Sequence, residues 1–164
     1  MPDGCGCGAP KSPDISIRGC PVSGATGIPV KLLTVKALLS PTALERLNRV
    51  AHRFCPDATC EVVYFDELGN WYGKHEIRVS VWQKEPFGAR TICYCFGESE
   101  GSICTEVTAE GSSAAANRVR AHIAAGRCAC QVRNPKGSCC LGDITAAVSR
   151  VISTLNSRSD DCSR

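Results

Sequence analysis

Apolar and polar positions along this chain change their rhythm as it proceeds. "GCPVSGATG" (19–27) is dominated by Gly, Pro and Ser and predicts a turn-rich loop leading to a short strand in "IPVKLLTV". In "LLSPTALERLNRV", Ser40 stands where an N-cap hydroxyl belongs and Pro41 takes the first helical position. Leu44, Leu47 and Val50 recur at three-residue spacing, so the pattern predicts an amphipathic helix over 41–50. "CPDATC" reads as a knuckle and "EVVYFD" as a strand rich in β-branched and aromatic residues. "ELGN" reads as a turn, and "HEIRVSVW" alternates Ile77, Val79 and Val81 with Glu76, Arg78 and Ser80. The two runs predict a β-hairpin with one buried face.

Past "QKEPFGA" the pattern turns helical. "SEGSICTEVT" and the Ala-rich "SSAAANRVRAHIAAG", with a Ser start and a Gly stop at Gly126, predict two helices. "GDITAAVSRVISTL" predicts a last one, with Ile144, Val148 and Ile152 on one stripe and Val151 and Leu155 beside it. The expected fold class is α+β: a β-rich module over 19–88 and a helical module over 89–156, between a flexible tail at 1–18 and a polar tail at 157–164.

Composition changes the picture through one residue type. At 164 residues and 43% hydrophobic the chain builds a modest core, thin because only 5% is aromatic. Thirteen cysteines are an odd number, which excludes complete internal disulfide pairing. "MPDGCGCGAP" lacks a charged and then apolar leader, and no run approaches the roughly 18 apolar residues of a membrane span. The expected location is therefore cytoplasmic, without membrane insertion. Thiols stay reduced there, and serve metals or redox chemistry more often than disulfide frameworks.

The formal charge of +3 counts every cysteine as neutral. A four-thiolate [2Fe-2S] centre adds roughly −2 and a three-thiolate zinc about −1, which brings the holoprotein near zero. With no run of five basic residues either, nucleic acid is not an expected partner.

The thiols fall into two sets. The C-terminal set is Cys93-Tyr-Cys95, Cys128-Ala-Cys130 and Cys139-Cys140, the last four around "VRNPKGS", a turn with Pro135 fixing φ and Gly137 free to take positive φ. A [2Fe-2S] cluster, a structural zinc and reactive or disulfide-forming thiols all remain open, with Arg127, Arg133 and Lys136 placed to offset a cluster's charge. The N-terminal set, Cys20 with Cys55 and Cys60, has zinc-ribbon-like spacing beside the expected hairpin. Its alternative is a buried Cys20 and a free pair. A closed zinc site needs a fourth ligand. Three residues after Cys20 stands Ser23, so Cys5, Cys7, His52 and Asp57 are the candidates.

Cys104 reads as core and Cys162 as an incidental tail residue, and His75 and His122 as surface or packing residues. No nucleophile and base, phosphate loop or paired carboxylates stand out, so an enzyme is not expected.

"CPVSG", "LLTVKALLSPTALERL", "FCPDATCEVVYF", "CYCFGE" and "CQVRNPKGSCCLGD" run in the order found in the N-terminal zinc and iron-sulfur domain of CopZ-type copper chaperones, which this chain resembles over roughly 19–155. Its second half is similar to the bacterioferritin-associated-ferredoxin-like [2Fe-2S] fold. The resemblance implies a zinc-ribbon-like module followed by a helical [2Fe-2S] module, with cluster ligands Cys93, Cys95, Cys130 and Cys140 and spare thiols Cys128 and Cys139. It implies zinc on Cys20, Cys55 and Cys60, with Ser23 departing from the family's C-x2-C. It also implies a metallochaperone-like role in handling copper or another soft metal, for instance reduction of Cu(II) to Cu(I), with a redox or copper-transporting partner. Cys5-Gly-Cys7 is a candidate hook for Cu+, or an incidental pair. The M-x-C-x-x-C of the full chaperones is absent and Met1 is the one methionine, so their copper-handing module is not expected here. Two other readings stand beside this one: a ferredoxin-like electron-transfer or cluster-sensing protein unrelated to copper, and a zinc-only interaction module.

Overall fold

The computed structural model describes residues 18–88 and 90–159. The readings placed on the N-terminal tail with Cys5 and Cys7, and on Cys162, lie outside the described residues. No helix among the described residues is long and apolar enough to cross a membrane.

The first half is a four-stranded antiparallel sheet in sequence order: β1 (Ile28–Val30), β2 (His52–Phe54), β3 (Val62–Asp66) and β4 (Trp71–Gly73). The run read as one strand, "IPVKLLTV", stops at Val30, and α1 (Leu32–Leu38) begins at once. Leu, Val and Ala at helical spacing bury Thr34, Val35 and Leu38 on one face, a 3.6-residue period that overrides the short apolar run. Ser40 caps α2 (Pro41–Glu45), its hydroxyl accepting from the Ala43 N–H at 3.3 Å. The expected helix over 41–50 ends at Glu45. The Tyr72 hydroxyl takes the Arg46 carbonyl, and the Arg46 guanidinium is drawn to the Trp71 carbonyl and Glu76.

The hairpin also differs from expectation. β3 turns at 67–70, where the Asp66 carboxylate accepts the N–H groups of Leu68 and Asn70 at 2.9 Å, and it pairs with Trp71–Gly73. The alternating run after it holds a 3-10 turn (Lys74–Glu76) and a single bridge from Ile77 to Leu39. Its alternation still sorts burial, with Ile77 and Val81 in the core. Its backbone partners, however, are in the α1–α2 connection, where the Ser40 N–H bonds the Glu76 carbonyl and the Arg78 N–H the Leu38 carbonyl, both at 2.8 Å.

A register shift between Val62 and Tyr64 divides β3 between two apolar clusters. Val63 and Tyr64 join the main core with Val35, Leu39, Phe54 and Tyr72, whereas Val62 and Phe65 face the cysteine side. A bulge is how a strand re-aims its side chains.

The second half pairs β5 (Thr91–Cys93) with β6 (Glu98–Ser99) and packs α3 (Glu100–Glu110) and α4 (Ala115–Ala124) on α6 (Leu141–Ser159). A short α5 (Cys130–Arg133) precedes the NP-x-G loop. On α6 the deepest stripe is Ile144, Ala147 and Val151, with Val148, Ile152 and Leu155 packed along its edge.

The halves are joined at that loop. The Tyr64 hydroxyl donates to the Pro135 carbonyl at 2.7 Å, and α1 packs on α5. Gly137 has φ +69 and lies so close to Thr34 that a Cβ would stand 2.8 Å from its hydroxyl. Tyr64→Phe leaves the buried Pro135 carbonyl unpartnered and is expected to lower the free energy of unfolding by about 1–3 kcal/mol, measured by urea denaturation of metal-loaded protein.

Candidate metal centres

Three chain segments converge at the first centre. The loop after Gly19 is held by mutual Cys20 N–H to Ala25 carbonyl and Gly24 N–H to Cys20 carbonyl bonds at 2.8 Å, with Gly24 at φ +73 making the reversal. Cys55 continues β2, its N–H on the Val63 carbonyl at 2.9 Å. The knuckle between Cys55 and Cys60 is closed by Asp57, which accepts the Thr59 N–H at 2.9 Å and its hydroxyl at 2.8 Å.

These turns place the sulfurs of Cys20, Cys55 and Cys60 within 4.8 Å of one another, all three buried, with Cys20 and Cys60 at 3.9 Å. Val62 and Phe65 cover them. Burial pushes the Cys55 thiol up. Burial opposes ionisation of Cys20 too, but hydrogen bonds from Ser23 and Val22 outweigh it and lower that thiol. Three converging soft donors suit zinc or a soft monovalent ion.

The fourth-ligand candidates sort themselves. His52 and Phe54 face the main core, on the opposite side of β2 from Cys55. The His52 Nδ1 sits 2.9 Å from the Val50 carbonyl and its ring lies against Tyr72. His52 is therefore not a ligand, because alternation along the strand turns it away. Asp57 uses one carboxylate oxygen in its turn and is not among the ligand atoms that lie within 4.8 Å of one another. Ser23 is the residue at the site, its Oγ 3.5 Å from the Cys55 sulfur.

One residue near this centre carries no signal in the sequence. Lys84 is only 7% exposed, and its ammonium donates to the carbonyls of Asp57 at 2.6 Å and Cys60 at 3.1 Å. No carboxylate of the described residues reaches it within salt-bridge distance. A buried cation is costly without an anion, and three metal-bound thiolates with a divalent ion supply a net −1. Lys84→Met is expected to weaken zinc binding about tenfold, the lower end for loss of an outer partner. Lys84→Arg should recover part of it, both measured by competition with a chromophoric chelator.

The second centre gathers thiols from four places. β5 ends on Cys93. The following turn, closed by the Gly97 N–H on the Cys93 carbonyl at 2.8 Å, presents Cys95. Cys130 opens α5, and Cys140 precedes α6. Cys95 and Cys130 stand 3.9 Å apart, and the Ala129 N–H reaches the Cys95 sulfur at 3.3 Å. The Cys93 and Cys140 side chains interact, each shifting the ionisation of the other. That contact, with the N–H groups of Phe96 and Cys95, lowers the Cys93 thiol to about 6, and Cys140 is pushed up in turn by the thiolate beside it. Burial and Cys95 push Cys130 up to about 12.

Cys95 and Cys130 are the pair of this centre whose sulfurs meet, and the four do not form one mutually close group. Among the described residues, the N-terminal trio is the group that meets mutual 4.8 Å spacing. Cys128 and Cys139 are exposed, and Cys104 packs at the edge of the helical core. Of the cations expected to offset a cluster, Lys136 is already paired with Asp143 at 2.8 Å, and the Arg127 guanidinium is 3.4 Å from the His122 ring nitrogen. His122 stacks on Phe96 with centroids 4.0 Å apart, a packing role.

Fold and sites together define a thiol-rich metal-binding protein of mixed helix and sheet. A CopZ-type family described as a zinc binding domain matches residues 17–78. Copper chaperone CopZ of Archaeoglobus fulgidus is 31% identical over 121 residues, which are 74% of this chain and 57% of that protein. This chain thus spans a little over half the length of that relative. The X-ray structure of the Archaeoglobus fulgidus CopZ N-terminal domain aligns with a TM-score of 0.62 at 30% identity, covering 74% of this chain and 91% of that one. The chain belongs to the family of the CopZ N-terminal domain.

Proposed function

We propose that this protein is a two-centre metallochaperone-like protein of copper handling, with zinc on Cys20, Cys55 and Cys60 and a [2Fe-2S] cluster on Cys93, Cys95, Cys130 and Cys140. The observation that carries the second centre is the contact of the Cys95 and Cys130 sulfurs at 3.9 Å, with the interacting Cys93 and Cys140 side chains beside them. A two-iron centre needs two thiolates on each iron, whereas one tetrahedral zinc needs four sulfurs all mutually close. The Ala129 N–H already donates to the Cys95 sulfur, the kind of donor that stabilises thiolate charge.

Such a cluster supplies one electron. The name of the relative supports copper as its destination: Cu(II) would be reduced to Cu(I), the form that thiolate sites and a copper-transporting partner accept. The test is to reduce the protein anaerobically with dithionite, remove the excess, and add one equivalent of Cu(II) with a Cu(I)-specific chelator. The expected result is about one Cu(I) trapped per cluster reoxidised, lost in Cys93→Ser. Equal Cu(I) yields from protein and variant would mean that free thiols do the reduction and that the cluster has no part in it.

A further inference from the structure

The zinc centre of this chain has three sulfurs and, on its fourth side, an alcohol. Cys20, Cys55 and Cys60 are buried, whereas Ser23, whose Oγ lies 3.5 Å from the Cys55 sulfur, is exposed to solvent. Ser23 Oγ also accepts the Ala25 N–H at 3.4 Å. A neutral hydroxyl is a weak zinc ligand, and a site with three protein ligands and an oxygen in the fourth position is the open kind, in which that oxygen exchanges. His52 faces away and Asp57 is held in its turn, so neither fills the position.

We propose that the Cys20, Cys55 and Cys60 centre keeps an exchangeable fourth position on the Ser23 side and binds an external thiolate there, from a small thiol or a cysteine of a partner protein. The proposal rests on zinc being the metal held by this trio. The step is a ligand exchange: the incoming thiol gives its proton to solvent, a metal–sulfur bond forms and the metal–oxygen bond breaks. No electron moves. A fourth thiolate takes the centre from a net −1 to −2, a change that Lys84 is placed to soften through the carbonyls it grips. The soft preference of the metal selects thiolates over carboxylates as the incoming ligand.

The test uses full-length protein with Co(II) exchanged into the zinc site, titrated anaerobically with β-mercaptoethanol and read by its thiolate-to-cobalt charge-transfer band. The band is expected to grow by about one third, from three to four cobalt–sulfur bonds, in the protein and in Ser23→Ala. Ser23→Cys should start at the higher intensity and not respond. Two results would overturn the proposal: an unresponsive protein, or one whose starting spectrum already equals that of Ser23→Cys, which would mean that a sulfur from elsewhere closes the site. Failure to take up one cobalt per chain would instead sink the zinc reading beneath it.

Discussion

Replacing Cys93 or Cys95 by serine is expected to abolish the visible absorption of the protein, while Cys128→Ser and Cys139→Ser leave it intact. Cys93 is fully buried at the end of β5 and Cys140 is 2% exposed at the start of α6, so the elements that carry them fix their positions. Cys95 and Cys130 are half-buried, one in a turn locked by Gly97 and one at the first residue of α5. Each pair would hold one iron, so one serine leaves that iron with a single thiolate beside its bridging sulfides. The exposed thiols differ in kind: Cys128 and Cys139 line the rim of a shallow hollow of about 420 Å³ that also reaches Cys130, and neither has a sulfur partner among the described residues. A Cys128→Ser protein that loses colour while Cys130→Ser keeps it would reverse the ligand assignment.

Cys55→Ser is expected to release zinc and destabilise the sheet module without bleaching the cluster. The thiol trio pins the loop of 20–25, the end of β2 and the knuckle of 55–60 to one another, and the apolar residues around it are few: Val62, Phe65 and Ala25. Little hydrophobic burial stands in reserve there, so the metal contributes much of the local folding free energy. Structural zinc binds with apparent free energies of about 10–16 kcal/mol in isolated finger peptides, and that binding energy is folding energy. Zinc analysis, far-UV circular dichroism and the cluster spectrum of the same sample check it. A variant that keeps its strand signal after losing zinc would show that the sheet stands without metal.

Much of the fold was legible from local chemistry. Ser40 and Pro41 mark a helix start because a cap and a fixed φ act within one turn, and "VVYFD" is a strand because its residues suit a sheet buried on both faces. The spacing of Cys55 and Cys60 reads as a knuckle for the same reason. What stayed hidden depends on distant partners. α2 ends early because Tyr72 and Glu76, far along the chain, take hold of Arg46. The run from Glu76 to Val81 alternates as a strand does, but its backbone bonds are satisfied by the α1–α2 connection, which periodicity does not report. In the site, the side on which His52 lies follows from strand alternation once β2 is placed. Lys84 could not be singled out, since a lysine in a Pro-containing junction carries no mark of the buried carbonyls it will meet. Ser23 was visible only as a departure from C-x2-C, and its place beside Cys55 gives that departure a chemical meaning.

The two-centre account is tested most directly by a visible absorption spectrum with iron, sulfide and zinc analysis on anaerobically purified protein. The account predicts about two irons, two sulfides and one zinc per chain, with charge-transfer bands that bleach on dithionite. A colourless protein carrying one or two zincs and resisting cluster reconstitution would contradict it.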